Sequence, residues 1–221
     1  ARIVQKLGFD GIDINMGCPV KTVVKRGAGG GLVKNVDLSL KIIAAVKKGA
    51  PKLPVSVKTR LGSDFETLLT AKLDALTIHG RTVAQRSKGR ANWDEIGKIV
   101  KLRDQISPKT IIIGNGDIAN FAQSVEMNEK YGVDGVMIGR GIFKDPYAFS
   151  KTEKRLSKEE RTNLAITHMK IFEEVWAGQK DFNILKKFFK MYIKGFRGAN
   201  KLRQNLMMAK TQEDALRLLR G

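Results

Sequence analysis

"GIDINMGCPVK", residues 11–21, reads in two parts. Gly11-Ile12-Asp13-Ile14-Asn15 alternates apolar and polar side chains as a strand does, and Gly17, Cys18 and Pro19 then turn the chain. The same plan recurs in Val55-Ser56-Val57-Lys58-Thr59-Arg60, Ala75-Leu76-Thr77-Ile78-His79, Ile111-Ile112-Ile113-Gly114-Asn115 and Gly135-Val136-Met137-Ile138-Gly139. Near-continuous apolar character predicts strands buried on both faces, as in a parallel sheet.

Helix patterns lie between these runs. Residues 37–48 put Leu38, Ile42, Ile43 and Val46 on one face, with Asp37 as the expected N-cap. Residues 92–103 do the same with Trp93, Ile96, Ile99, Val100 and Leu102 behind a cap at Asn92, and residues 120–131 repeat the form. Alternating strand and helix predicts βαβ units. After Pro146 the alternation stops. Ser157 and Glu160 form a capping box ahead of a long helix, a second helix is expected from Phe182 to Phe196, and a third from Gln212 to Leu219. The organisation read from this is an α/β domain over residues 1–149 and an all-helical domain over 150–221.

Each strand ends in residues able to do chemistry: Asn15 and Cys18, Lys58 and Arg60, His79 and Arg81, Asn115 and Asp117, Gly139 and Arg140. In barrels and doubly wound sheets the sites form at these C-terminal strand ends, so five in succession predict one shared face. Lys58, Arg140 and the glycines of "GNGD" and "GRG" suit a phosphate, because glycine exposes backbone N–H groups beside fixed positive charge. Each glycine motif alone reads as a tight strand-to-helix turn; the pair together favours phosphate. His79 ends a buried strand and suits either a hydrogen bond to a cofactor or a structural role, whereas His168 reads as a packed or surface residue within a helix. Cys18, the only cysteine, lies outside its strand between Gly17 and Pro19, which argues for access. A free thiol is mostly protonated at neutral pH and can act as a general acid.

Composition narrows the classes. One cysteine excludes an internal disulfide and fits a reducing, cytoplasmic setting. No run approaches the roughly 20 apolar residues that span a bilayer, so no membrane association is expected. One cysteine and two distant histidines cannot form a zinc site, so no metal is expected either. Forty-one Lys and Arg against 22 Asp and Glu give a net charge of +19, which favours a polyanionic partner. Residues 150–221 carry 17 basic and 8 acidic groups on under half the length of the rest.

With these residues assembled, the chain resembles the tRNA-dihydrouridine synthases. The matching stretches are "GFDGIDINMGCPVKTVVKRGAGGGL", "PVSVKTRLG", "LTIHGRT", "GNGDI", "GVMIGRG" and, in the tail, "FNILKKFFKMYIKGFRGANKLRQNLM". "NMGCP" alone is less specific, since dihydroorotate dehydrogenases carry a similar turn. The resemblance implies a bacterial-type, FMN-dependent (β/α)8 TIM barrel followed by a helical tRNA-binding domain. It implies that NADPH reduces the flavin, that hydride passes from FMN to C6 of a tRNA uridine, and that Cys18 gives the proton to C5. Lys58, His79, Asn115, Gly116, Asp117, Gly139 and Arg140 match the FMN-binding pattern, with Lys58 and His79 near the pyrimidine end and Gly139 and Arg140 at the phosphate. Asn15 and Arg60 are implied near the uracil. Lys21 and Arg26 follow the cysteine where RNA phosphates would pass. Lys187, Lys190, Lys194 and Lys201 recur at helical spacing in the tail and are implied tRNA contacts; apart from the resemblance they read as a solvated helix face. A monomer is expected.

On the family pattern, "ARIVQKLGFDG" reads as the helix before the fourth barrel strand, so three strands and a flavin-binding glutamine are expected to be missing from this chain. The stretch between Arg60 and His79 is also shorter than in most members, and Ser87 stands where many carry an aromatic. Two other readings remain at this point: a dihydroorotate-dehydrogenase-like enzyme acting on a free pyrimidine, and a non-catalytic RNA-binding fragment.

Overall fold

The structure, a computed structural model, describes residues 1–221 apart from Glu153 and Ala177. Helix α1 (Arg2–Lys6) precedes β1 (Ile12–Asn15). Helix α2 (Lys21–Lys25), a 3-10 helix (Gly29–Lys34) and α3 (Val36–Gly49) lead to β2 (Val55–Leu61). Helix α4 (Phe65–Thr70) leads to β3 (Ala75–Thr82), α5 (Trp93–Ile106) to β4 (Ile111–Asn115), and α6 (Phe121–Tyr131) to β5 (Gly135–Met137). The rest is helical: α7 (Gly141–Lys144), α8 (Lys158–Trp176), α9 (Asn183–Lys186), α10 (Phe189–Tyr192), α11 (Ala199–Met208) and α12 (Gln212–Arg220). Two compact units result, Ala1–Arg140 and Gly141–Gly221.

In the first unit five strands form one parallel sheet in the order β1-β2-β3-β4-β5. The order follows the chain and never reverses. One face carries Val55, Val57, Leu76, Ile78 and Ile112, all fully buried, and beneath them lie Ile43, Leu69, Trp93 and Ile96 from the helices. Two aspartates seal the N-terminal rim. Asp74 accepts the Val55 N–H at 2.7 Å, and Asp134 accepts the Ile112 N–H at 2.7 Å while pairing with Arg103 at 2.6 Å. These bonds serve stability, since the chemistry of such sheets lies at the opposite rim.

The other face is different. Because side chains alternate and the register is fixed, Asn15, Lys58, Thr77, Ile113 and Gly135 form one row across the sheet, and Arg60, His79, Asn115 and Met137 form the next. This face is polar and partly open: Asp13 and Asn15 are exposed, and Ile111 is 49 % exposed. Burial on both faces holds for the middle of β3, where Leu76, Thr77 and Ile78 are all buried, and for the end of β2, where Thr59 and Arg60 are. It fails at β1 and at the start of β4, where Asp13, Asn15 and Ile111 are exposed on the face away from the helices.

Other expectations shift in detail. Helix α3 is capped by Asn35 rather than Asp37: Asn35 Oδ1 accepts the Leu38 N–H at 3.1 Å, and Asp37 sits in the first turn, where its charge favours the positive helix end. Asn92 caps α5 and Ser157 and Glu160 form the capping box, as the pattern predicts. The helix expected from Phe182 to Phe196 is broken into α9 and α10. Phe188 N–H donates to Leu185 O and Met191 N–H to Phe188 O, so successive i→i+3 bonds reset the helical phase. This lets Leu185, Phe189, Tyr192 and Ile193 all reach the core. The division between units falls after Arg140, ahead of the expected boundary at 149, since Phe143 of α7 stacks on Phe188 at 5.9 Å. Met169, Leu206, Ala215 and Leu219 complete the core of that second unit.

Candidate active site

Strand β1 delivers Cys18 by a side-chain turn. Asn15 Oδ1 accepts the N–H groups of Gly17 at 3.0 Å and Cys18 at 3.1 Å, which curls the chain as it leaves the sheet. Met16 between them continues the ladder by one bond, its N–H donating to Lys58 O at 2.8 Å, and buries its side chain. Apolar anchoring at Met16 and polar curling at Asn15 thus leave Cys18 partly exposed. The loop behind it fits closely. Gly29 adopts φ of +52°, and a Cβ there would stand 2.8 Å from the Cys18 Cβ, so glycine is required.

Arg60 of β2 fastens this turn to the neighbouring strand end. Its Nε donates to Gly17 O at 2.6 Å, and its Nη1 donates to Arg86 O at 2.7 Å and Thr82 O at 3.3 Å. The residue is only 8 % exposed. Burial, then the charge of Arg81, lowers its pKa, and Cys18 opposes the shift. An arginine remains charged regardless.

Beside it, Lys58 Nζ donates to Asn115 Oδ1 at 3.2 Å, and Asn115 Nδ2 donates to Met137 O at 2.8 Å. Three strand ends are linked in this way. Burial lowers the Lys58 pKa, the charge of Arg60 lowers it further, and Asp13 offsets part of this. His79 stands in the same row as Asn115. Its pKa is pushed down to about 4, first by burial and then by Arg60, Lys58 and Arg81, so the ring is neutral near pH 7.

The turn after β4 is bolted rather than open. Arg81, 2 % exposed, donates from Nη2 to Asp117 Oδ1 at 2.6 Å and Oδ2 at 2.7 Å, and to Gly89 O at 2.5 Å. Asp117 Oδ2 also accepts the Ala91 N–H at 2.8 Å. Burial works against ionisation of Asp117, but the Arg81 and Ala91 hydrogen bonds outweigh it and hold the carboxyl below its usual range. Gly116 precedes it at φ of +132°, where a Cβ would lie 2.6 Å from the Ala91 Cβ, and its carbonyl accepts Trp93 Nε1 at 2.9 Å. Arg140 is well exposed, with Nη2 3.9 Å from Asp117 Oδ1, and a methyl group at Gly139 would meet nothing within 4 Å.

Of the residues singled out by sequence, Lys58, His79, Asn115, Gly116 and Asp117 meet at adjacent strand ends. Arg60 connects them to the Cys18 turn. Asn15 builds that turn with its side-chain oxygen. Lys21 opens α2 and Arg26 ends it, both exposed. In the second unit Lys187, Lys190 and Lys194 line a groove of about 800 Å³ with Phe143, Phe188 and Arg203, while Lys201 stands exposed on α11 outside that lining. Sequence reading underrated Arg81. Its signal was a second cation two residues beyond His79 with an acidic partner, Asp117, at the next strand end. Among the described residues no group of three His, Cys, Asp or Glu side chains could hold a metal ion, and no helix is long and apolar enough to cross a membrane.

A family model described as dihydrouridine synthase matches residues 1–220. The chain is 43 % identical over 225 residues to a probable tRNA-dihydrouridine synthase of Staphylococcus aureus strain Mu50, covering 98 % of this chain and 68 % of that one. It is 42 % identical to probable tRNA-dihydrouridine synthase 2 of Bacillus subtilis strain 168, over 98 % of this chain and 69 % of the relative. A Staphylococcus epidermidis probable tRNA-dihydrouridine synthase, strain ATCC 12228, is 42 % identical over 96 % of this chain and 68 % of its own length.

Proposed function

The chain belongs to the dihydrouridine synthase family, whose members reduce uridine in tRNA, and on that premise we propose that its first unit holds FMN and reduces a tRNA uridine while its second unit grips the tRNA. The observation that carries this reading is one juxtaposition. Lys58, Asn115 and His79 converge at adjacent strand ends, and Arg60 ties them to the turn that presents the Cys18 thiol.

The donor set fits a flavin mononucleotide. Lys58 supplies positive charge and His79 a neutral donor for the pyrimidine end, where negative charge grows on reduction. Arg140 and the open turn at Gly139 suit the phosphate. Asn115 orients Lys58, Gly116 shapes the turn, and Asp117 holds that turn through Arg81 because its carboxylate is already engaged. When bound, the flavin supplies hydride to C6 of the uracil, and NADPH restores it.

Cys18 holds the proton that C5 takes up, so that one hydride and one proton saturate the C5–C6 bond. The thiol's place outside the strand, on a turn held by Asn15 and Arg60, keeps it accessible and fixed. Asn15 and Arg60 border the uracil, which leaves its stack to reach the site. Lys21 and Arg26 on α2 meet the RNA backbone nearby. In the second unit Lys187, Lys190 and Lys194 rim a groove lined by Phe143 and Phe188 and meet the tRNA there, and Lys201 adds an exposed cation on α11. Sequential strand order, helices on one face and a polar second face support placing β1–β5 of the first unit, Ala1–Arg140, in a (β/α)8 barrel, with the helical second unit, Gly141–Gly221, as the tRNA-binding domain. The reading is of a monomeric cytoplasmic enzyme.

Cys18→Ala tests it. With FMN bound, reduction by NADPH should be unchanged, and dihydrouridine formation on unmodified tRNA should fall by about 10²- to 10⁴-fold, the ordinary range for a lost general acid. No flavin uptake by the wild-type chain, or full turnover by the variant, refutes the assignment.

A further inference from the structure

We infer that Arg81 is a positioning residue that holds His79 in the tautomer protonated on Nδ1, so that the ring offers one N–H, away from the turn, to an acceptor atom of the bound cofactor. Arg81 Nη1 lies 3.3 Å from His79 Nε2. A guanidinium has donors and no acceptor, so Nε2 must present its lone pair there. Were Nε2 to carry the proton, two N–H groups would face each other beside a fixed positive charge.

Arg81 has no freedom to yield. It is buried, its Nη2 is shared between Asp117 and Gly89 O, and its Nε lies 3.3 Å from Lys88 O and 3.2 Å from Gly89 O. Asp117 is held in turn by the Ala91 N–H. The same edge of the imidazole packs on the turn after β4: a Cβ at Gly116 would lie 3.2 Å from Cδ2 and 3.5 Å from Nε2. Nδ1 is on the opposite edge of the ring. Burial and the cations Lys58, Arg60 and Arg81, opposed by Asp117, keep the imidazole neutral, which a single-donor role requires. The acceptor it fits is a carbonyl oxygen or unprotonated ring nitrogen at the edge of a planar heterocycle. That ligand class rests on the flavin reading above; the tautomer does not.

The chain has two histidines, so nitrogen-15 NMR of histidine-labelled protein gives two ring systems, and His168→Gln assigns them. Without flavin at pH 7, His79 should show a protonated-type Nδ1 and an unprotonated-type Nε2, with a tautomer ratio above about 10:1, the scale of one hydrogen bond to a charged group. Arg81→Met should mix the tautomers, and Arg81→Lys, which keeps a cationic donor, should restore part of the bias. A wild-type His79 protonated on Nε2 overturns the inference whether or not any variant folds. So does a folded Arg81→Met chain with the wild-type tautomer. Because the reading needs no cofactor, failure of flavin binding by absorbance is a separate result.

Discussion

Removing the Asp117 carboxylate should cost stability, because Arg81 would then be left buried with its charge unmatched. Asp117→Ala deletes two charge-assisted hydrogen bonds of 2.6 and 2.7 Å and leaves the Ala91 N–H without its acceptor. Breaking a fully buried pair costs about 3–5 kcal/mol. Here the Asp117 side chain is 39 % exposed and Arg81 keeps Gly89 O and Lys88 O, so a figure of about 2–3 kcal/mol is expected after solvent screening. For a protein of this size that corresponds to a midpoint lowered by roughly 4–12 °C. Circular dichroism melts of wild type and variant, without flavin, measure it. The pH dependence has a definite sign. Asp117 has a folded pKa below the ordinary value of 3.8, so its contribution is full above that value and is lost as pH falls through the lower, folded one. The gap between the two melting points should therefore close in acid. Equal midpoints at pH 7, or a gap that widens in acid, would refute the view that this pair bolts the turn.

Three further outcomes follow from the same geometry. Gly116→Ala should destabilise the first unit by about 1–3 kcal/mol and reduce flavin uptake, since φ of +132° and a Cβ 2.6 Å from Ala91 Cβ are both unfavourable; melting and flavin absorbance report it. Relative to His79→Gln, the wild-type chain should lose stability as pH falls from 6.5 toward about 4, because the unfolded imidazole binds a proton there and the folded one does not; melts across that window check the sign. Lys187→Ala with Lys190→Ala should weaken tRNA binding and flatten its dependence on salt, by about one unit of slope for each phosphate no longer neutralised, as read by filter binding at several ionic strengths.

The strands and their polar ends were legible because period-two alternation and glycine punctuation are local. So were the caps at Asn92 and Ser157, which need only residues three apart. Asn35 was missed in favour of Asp37 because both are good caps and only backbone geometry decides between them. The dry and open faces of the sheet were not separable: Ile111 and Ile112 read alike, yet one is half-exposed and the other fully buried. Arg81 illustrates a different limit. Its partner Asp117 is 36 positions away, and their meeting depends on the β3–β4 register rather than on any local pattern. The tail from Phe182 to Phe196 defeated periodicity because its aromatics occupy too many faces for one straight helix to bury.

The order of the sheet also bears on how the chain is made. Ile12 pairs with Val55, Ser56 with Ala75, Ala75 with Ile111 and Ile113 with Gly135, so each strand's next partner is always the next one to leave the ribosome. The sheet can grow in the direction of synthesis, one βα segment at a time, without waiting for a distant part of the chain. At every stage the newest strand is an unpaired edge, and Ile113 of β4 has no partner on that side until Gly135 arrives. A pause in translation between β4 and β5 would therefore prolong the time for which the β4 edge stands open to misassociation.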